Sequence, residues 1–232
     1  MYNVFETPIF GILLTILAFN MGVNLSKKLK SSLVNPLLMA VALIIVCLVV
    51  FNIPLKQYQI GGNVLTYFLS PLTIVLAIPM YRQWNHIKQN LIPIMIGICS
   101  GIFIGTVLTY CLGRLLSVED DLLLSIIPKS ITTPMAISLS NLINGTPSVT
   151  TIFVVITGVM GAIMAPIVFR LYPTKNKIAK GVGIGAAAHA IGTTKAMEMG
   201  ETEGASSSAS IGLTGTLAII LIPIILDFLM SA

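Results

Sequence analysis

Six apolar runs set the limits on what this chain can fold into. They cover residues 7–23, 33–53, 64–80, 91–112, 149–169 and 209–230. Each comes close to the about 20 residues that a helix needs to cross a hydrocarbon layer. Inside such a layer no water bonds the backbone, so a crossing segment closes its hydrogen bonds within a helix. The composition agrees: 56% of the residues are hydrophobic and 9% are charged. Soluble domains carry about 25% charged residues. The expected fold is an all-α polytopic membrane protein forming a single transmembrane domain over residues 1–232.

The net charge of +5 does not point to nucleic acid. The basic residues gather in short loops, where they orient spans. Lys27, Lys28 and Lys30 follow the first run, Arg82, His86 and Lys88 follow the third, and Arg170, Lys175, Lys177 and Lys180 follow the fifth. These loops are expected on the cytoplasmic side. The loops near 52–62 and 114–121, the latter with Glu119, Asp120 and Asp121, are then expected outside. Trp84 has the place of an interfacial anchor. No basic segment precedes the first run, as a cleavable leader would require.

This topology leaves residues 122–148 entering and leaving on the same side. A re-entrant hairpin, or two half-helices, satisfies it. At their centre stands PKSITTP, residues 128–134. Two prolines six residues apart prevent one regular helix there. Residues 181–205 are the second broken segment. They carry glycines at 181, 183, 185, 192, 200 and 204 together with His189, Lys195, Glu198, Glu201 and Glu203. The two segments share an echo, Ile131-Thr132-Thr133-Pro134-Met135 against Gly192-Thr193-Thr194-Lys195-Ala196-Met197, which suggests an inverted repeat. Broken segments meeting near the midplane are how secondary transporters build their sites.

The candidate site follows from these residues. Lys129, with Ser130, Thr132 and Thr133, offers a cation and hydroxyl donors beside a helix break, which suits a small anion. His189, Thr193 and Lys195 offer a matching set from the second segment. Lys195 and Glu198 are also spaced to pair along a helix. The glycines Gly97, Gly101 and Gly105 of the fourth run form small-xxx-small patterns suited to close helix packing. Gly183 to Ala188 matches a loose dinucleotide fingerprint, but no strand precedes it. Ser206, Ser207 and Ser208 lack a nucleophile motif. Cys47, Cys99 and Cys111 lie in apolar runs without metal-ligand spacing. No enzyme activity, cofactor or metal is expected.

The segments SPLTIVLAIPMYRQ (70–83), PKSITTPMAI (128–137), TPSVTTIFVVITGVMGAIMAP (146–166) and AAHAIGTTKAMEMGETEGASSS (187–208) resemble the LrgB/CidB family over nearly the whole chain. The resemblance implies a bacterial cytoplasmic-membrane protein paired with a small holin-like partner of the LrgA/CidA type. It implies an antiholin-like influence on murein hydrolase activity, autolysis and programmed cell death, or transport of small monocarboxylates such as pyruvate. The plastidial glycolate/glycerate translocator resembles the two partners fused. The resemblance directs attention to Lys129, Ser130, Thr132, Thr133, His189, Gly192, Thr193, Lys195 and Glu198. The expected partners are lipid, a small carboxylate, the holin-like protein and further copies of this chain.

Two functions remain, a carboxylate carrier and a regulator that needs only helix-packing faces. About six full spans and two broken segments serve either. Cysteine labelling in a cysteine-free background should find positions 28, 88 and 175 reactive from the cytoplasm and position 120 from outside. Labelling of 28 and 120 from one side would overturn the topology.

Overall fold

The structure is a computed structural model that describes residues 7–29, 36–68, 71 and 77–231. Among the described residues every regular element is helical. The chain divides into two compact units, Met1–Val75 and Leu76–Ala232.

The first unit holds α1 (Pro8–Leu29), α2 (Pro36–Val50) and α3 (Leu55–Thr66). Lys27 and Lys28 close the last turn of α1, where cations complement the carbonyl end of a helix. Helices α1 and α3 cross with their backbones touching. A side chain on Gly61 would lie 2.7 Å from the Gly11 Cα, and Thr15 Oγ1 meets the Tyr58 hydroxyl at 3.0 Å. This crossing corrects the expectation of a loop over 52–62. Pro54 sits in extended conformation just ahead of α3, and the close glycine contact seats the helix despite its polar residues. The expected third span fares differently. Residues 64–66 belong to α3, residues 69, 70 and 72–76 lie outside the described residues, and 77–82 form a short helix in the second unit.

The second unit continues with α4 (Ala77–Arg82), α5 (Trp84–Gln89), α6 (Leu91–Leu115) and α7 (Asp120–Ile126). A 3-10 turn over Ile127–Ser130 leads to α8 (Thr133–Leu142), α9 (Pro147–Leu171), α10 (Lys177–Met199) and α11 (Glu201–Ser231). Among the described residues, four helices are long and apolar enough to cross a membrane: α1 in the first unit, and α6, α9 and α11 in the second. Trp84, expected in a loop, opens the short α5 and is half exposed.

Residues 122–148 fold back on themselves. The chain is extended at Ile131 and Thr132, between the 3-10 turn and α8. The two ends of this hairpin meet at Ser125. The Thr146 N–H donates to Ser125 Oγ at 2.7 Å, and the Thr150 hydroxyl lies 2.9 Å from the Ser125 carbonyl and 2.7 Å from the Ser140 hydroxyl. Helix α9 therefore starts beside the point where the hairpin began.

Helix α10 is also a hairpin. The backbone leaves helical geometry at Ala188 and His189, and His189 takes a positive φ of 41°, rare for a residue with a side chain. The contacts of the flanking halves show a reversal. Gly181 packs on Glu203 and Ser206, and Gly185 packs on Ser207, so the first half runs parallel to α11. Thr193 bonds Ser207 and Gly204 packs on Met197, so the second half runs antiparallel to it. At about 1.5 Å per residue, the dozen residues before the turn reach about 18 Å, a little over half of a hydrocarbon core about 30 Å thick.

The last helix begins at Glu201, eight residues ahead of the expected Ala209. Acidic Glu201 and Glu203 occupy its first turn, where carboxylates favour the amide end of a helix. Ser206 and Ser208 return their hydroxyls to the carbonyls four residues earlier, which hides their polarity inside the helix.

The bases of the two hairpins lie at opposite ends of the unit. Leu123 of the first packs on Gly113 near the end of α6, where Arg114 pairs with Asp120 at 2.6 Å. Lys180 of the second lies over the Phe169 ring near the end of α9. The two hairpins thus open from opposite ends, but the Thr-Thr echo between them is out of register. Thr132 stands at the first break, whereas Thr193 follows the second by four residues.

Gly185→Ala should destabilise the protein by about 1–3 kcal/mol, because its Cβ would meet the Ser207 backbone carbon at 2.9 Å. Gly183→Ala, where a Cβ meets nothing within 4 Å, should be neutral or stabilising by up to about 1 kcal/mol. Thermal unfolding of the two variants in detergent makes the comparison.

Candidate functional site

A cavity of about 460 Å³ lies within the second unit, inside the about 300–1,000 Å³ range of small-molecule sites. Four elements wall it. Helix α6 contributes Gly97, Gly101, Gly105 and Thr106, and the first break contributes Pro128, Lys129, Ser130 and Ile131. The first half of α10 contributes Ala179, Val182, Gly183 and Ala186, and α11 contributes Thr214 and Ile222. One end reaches Asn90 and Asn176, beside the basic loops. The opposite wall is the proline-bounded break. Both hairpins thus contribute to one chamber.

The glycine stripe of α6 has a different role from the one its spacing suggested. A Cβ at Gly97, Gly101 or Gly105 would meet nothing within 4 Å. These glycines make room instead of bringing two helices together. Close backbone approach occurs at other glycines, such as Gly181 and Gly185 against α11.

Lys129 is the cation of the chamber. The 3-10 turn carries it there because Pro128 within that turn ends the regular helix. Its Nζ donates to Thr109 Oγ1 at 2.5 Å. An ammonium has three donors, so two remain for a ligand. Among the described residues the ion pairs are Arg114–Asp120 and Lys195–Glu198, and no acidic side chain lines the chamber. A part-buried, unpaired ammonium in an apolar wall favours an anion that replaces lost hydration.

The other expected site residues are distributed differently. Ser130 lines the chamber with Lys129, while Thr132 and Thr133 sit partly buried at the start of α8 outside its lining. His189 is buried against α9, its Nε2 3.0 Å from the Val154 carbonyl, which requires the proton on that nitrogen. Gly158 permits this seat, since a Cβ there would lie 2.7 Å from the imidazole Cε1. Thr193 donates to the His189 carbonyl at 2.9 Å and meets the Ser207 hydroxyl at 2.7 Å. Gly192 is buried where the two halves of α10 fold together, close to Ala188 and Ile184. Lys195 pairs with Glu198 at 2.7 Å on the surface. The second segment therefore gives the site its wall through Ala179 to Ala187, and His189 and Thr193 fasten the turn.

The family model described as the LrgB-like family matches residues 15–228. The chain belongs to the LrgB-like family. Among its relatives, the uncharacterized protein YxaC of Bacillus subtilis is 36% identical over 206 residues, covering 89% of this chain and 90% of that protein. The antiholin-like protein LrgB of Bacillus mycoides is 32% identical, covering 96% and 97%, and that of Bacillus cereus is 31% identical over the same shares. No solved structure matches the chain. This LrgB-like protein is an all-helical integral membrane protein, and the family match spans parts of both units.

Thr106, Asn176 and Thr214 line the chamber without having been singled out from the sequence. Thr214 had a readable signal. Glu203, Ser207, Ser210 and Thr214 recur at helical spacing on one buried face of α11. Substituting Gly97 or Gly101 by Ala should leave the melting temperature unchanged or raise it, because the helix interior gains a better helix former and the added Cβ meets no neighbour within 4 Å. A fall of several degrees in both variants would show that the stripe is a packed helix contact.

Proposed function

We propose that this LrgB-like protein carries small monocarboxylates, pyruvate- or glycolate-like, across the bacterial cytoplasmic membrane. A small holin-like protein of the LrgA/CidA type acts with it. The observation that carries this reading is Lys129, an unpaired cation in the wall of a chamber formed by two opposed helical hairpins. A carboxylate leaving water loses strong hydration, and a lysine held in a low-dielectric wall replaces part of it. Ser130 adds a hydroxyl from the same break. The basic loops near Lys88 and Lys175 favour approach of an anion from the side on which they stand.

A second reading, regulation of murein hydrolase activity and autolysis without transport, has its support in the antiholin-like name of the relatives. It has no use for a lysine in the chamber wall. The glycine face that it would use for helix contact lines the chamber instead. Control of autolysis fits better as a consequence of moving a metabolic acid than as a separate activity.

Uptake of labelled pyruvate and glycolate into liposomes, with and without the small partner, tests the proposal. Lys129→Ala should reduce uptake about ten- to one hundred-fold, as expected for losing a charged hydrogen bond worth about 1.5–3 kcal/mol. Lys195→Ala should stay near wild type, since that lysine is spent on Glu198 at the surface. His189→Ala should act on stability by loosening the turn at α9. Wild-type uptake by the Lys129 variant would overturn the anion site and leave the regulator as the better reading.

A further inference from the structure

Among the buried polar groups of α11, Ser207 bonds Thr193 of α10, and Glu203 Oε2, outside the chamber lining, has no hydrogen-bond partner. Ser206, Ser208, Ser210 and Thr216 each return a hydroxyl to the carbonyl four residues earlier, the usual way for a membrane helix to hide a hydroxyl. Thr214 does not. It is 2% exposed, it lines the chamber, and its Oγ1 has no hydrogen-bond partner. An unmade bond on a buried hydroxyl is costly. Such a group in a small-molecule chamber is a reason to look for its missing partner in the cargo.

Its position supports this. The neighbouring Gly215 leaves space that the Met135 sulfur fills, which puts Thr214 at the level of the first hairpin's turn. Lys129 and Ser130 belong to that turn and line the same chamber. The glycine stripe of α6 lines the same chamber and adds no polar side chain; the hydroxyl that α6 contributes to the lining is Thr106.

We propose that Thr214 is the second anchor of the cargo. Its hydroxyl bonds a polar substituent of the small anion whose carboxylate Lys129 neutralises. The inference rests on the carrier reading above and adds to it a selectivity: acids that carry an oxygen substituent are preferred to plain acids of the same length. A site with an unpaired polar group rejects the analogue that cannot satisfy it.

The test compares glycolate with acetate, which has the same carbon count and lacks the hydroxyl. Binding to the purified full-length protein and uptake into liposomes are both measured. Wild type should prefer glycolate. Thr214→Val, similar in shape without the hydroxyl, should weaken glycolate about ten-fold while acetate changes less than about two-fold, the effect of losing one neutral hydrogen bond. Thr214→Ser should restore the preference. The melting temperature of Thr214→Val without ligand should be equal to wild type or higher, because an unsatisfied group has been removed. An unchanged glycolate-to-acetate ratio in Thr214→Val, equal losses for both acids, or no preference in wild type would overturn the inference. If Lys129→Ala stops both acids and Thr214→Val alters neither, the carrier stands and only the second anchor falls. If wild type takes up neither acid, both fall.

Discussion

A helix that ends inside an apolar layer leaves polar backbone with no water to bond, and the second unit depends on how that backbone is enclosed. The turn at Ala188–His189 is walled by α9, where Gly158 and Gly161 leave room for the imidazole and for the Ala188 methyl. The bond from His189 to the Val154 carbonyl fastens the turn to that wall. Gly181 and Gly185 bring the first half of α10 onto the backbone of α11. These contacts let a chain reverse at mid-depth. The chamber is the space left between the reversed segments and α6.

The two hairpins solve the same problem by different chemistry. The first uses proline to stop a helix and closes its base with hydroxyls, Ser125, Ser140 and Thr150. The second uses glycine for approach and a positive-φ histidine at its tip. That difference puts the lysine of the first break into the chamber wall and keeps the histidine of the second in the packing. Polar residues in a broken membrane segment are therefore of two sorts, those that complete the fold and those the fold leaves free.

Much of this architecture is legible in the sequence, because bilayer thickness and loop charge act on composition alone. The long runs of α1, α6 and α9 are visible as apolar stretches, and Pro128 and Pro134 mark the first break. What was not legible depends on partners distant in the chain. Gly97, Gly101 and Gly105 have the same spacing whether they touch a helix or face a chamber, and only the neighbouring elements decide. The start of α11 was obscured because Ser206–Ser208 look polar until Ser206 and Ser208 bond inside the helix and Ser207 bonds Thr193. His189 and Lys129 look equally exceptional in an apolar sequence. The Val154 carbonyl, thirty-five residues before the histidine, separates them.

Each hairpin is seated on the helix that follows it. Ser125 waits for Thr146, just ahead of α9, and for Thr150 within it, and Gly181 and Gly185 wait for Glu203 and Ser207 of α11. Ribosomal synthesis runs the other way, delivering each reversal before its support. The nascent chain must hold residues 177–200 on α9 alone until α11 has been made. Completion of the chamber is thus a late event in biogenesis, tied to the arrival of the final span. A chain truncated just after Gly200 would retain Lys129, the glycine stripe and the seat of His189 on α9, but the first half of α10 would lack the α11 backbone on which Gly181 and Gly185 pack.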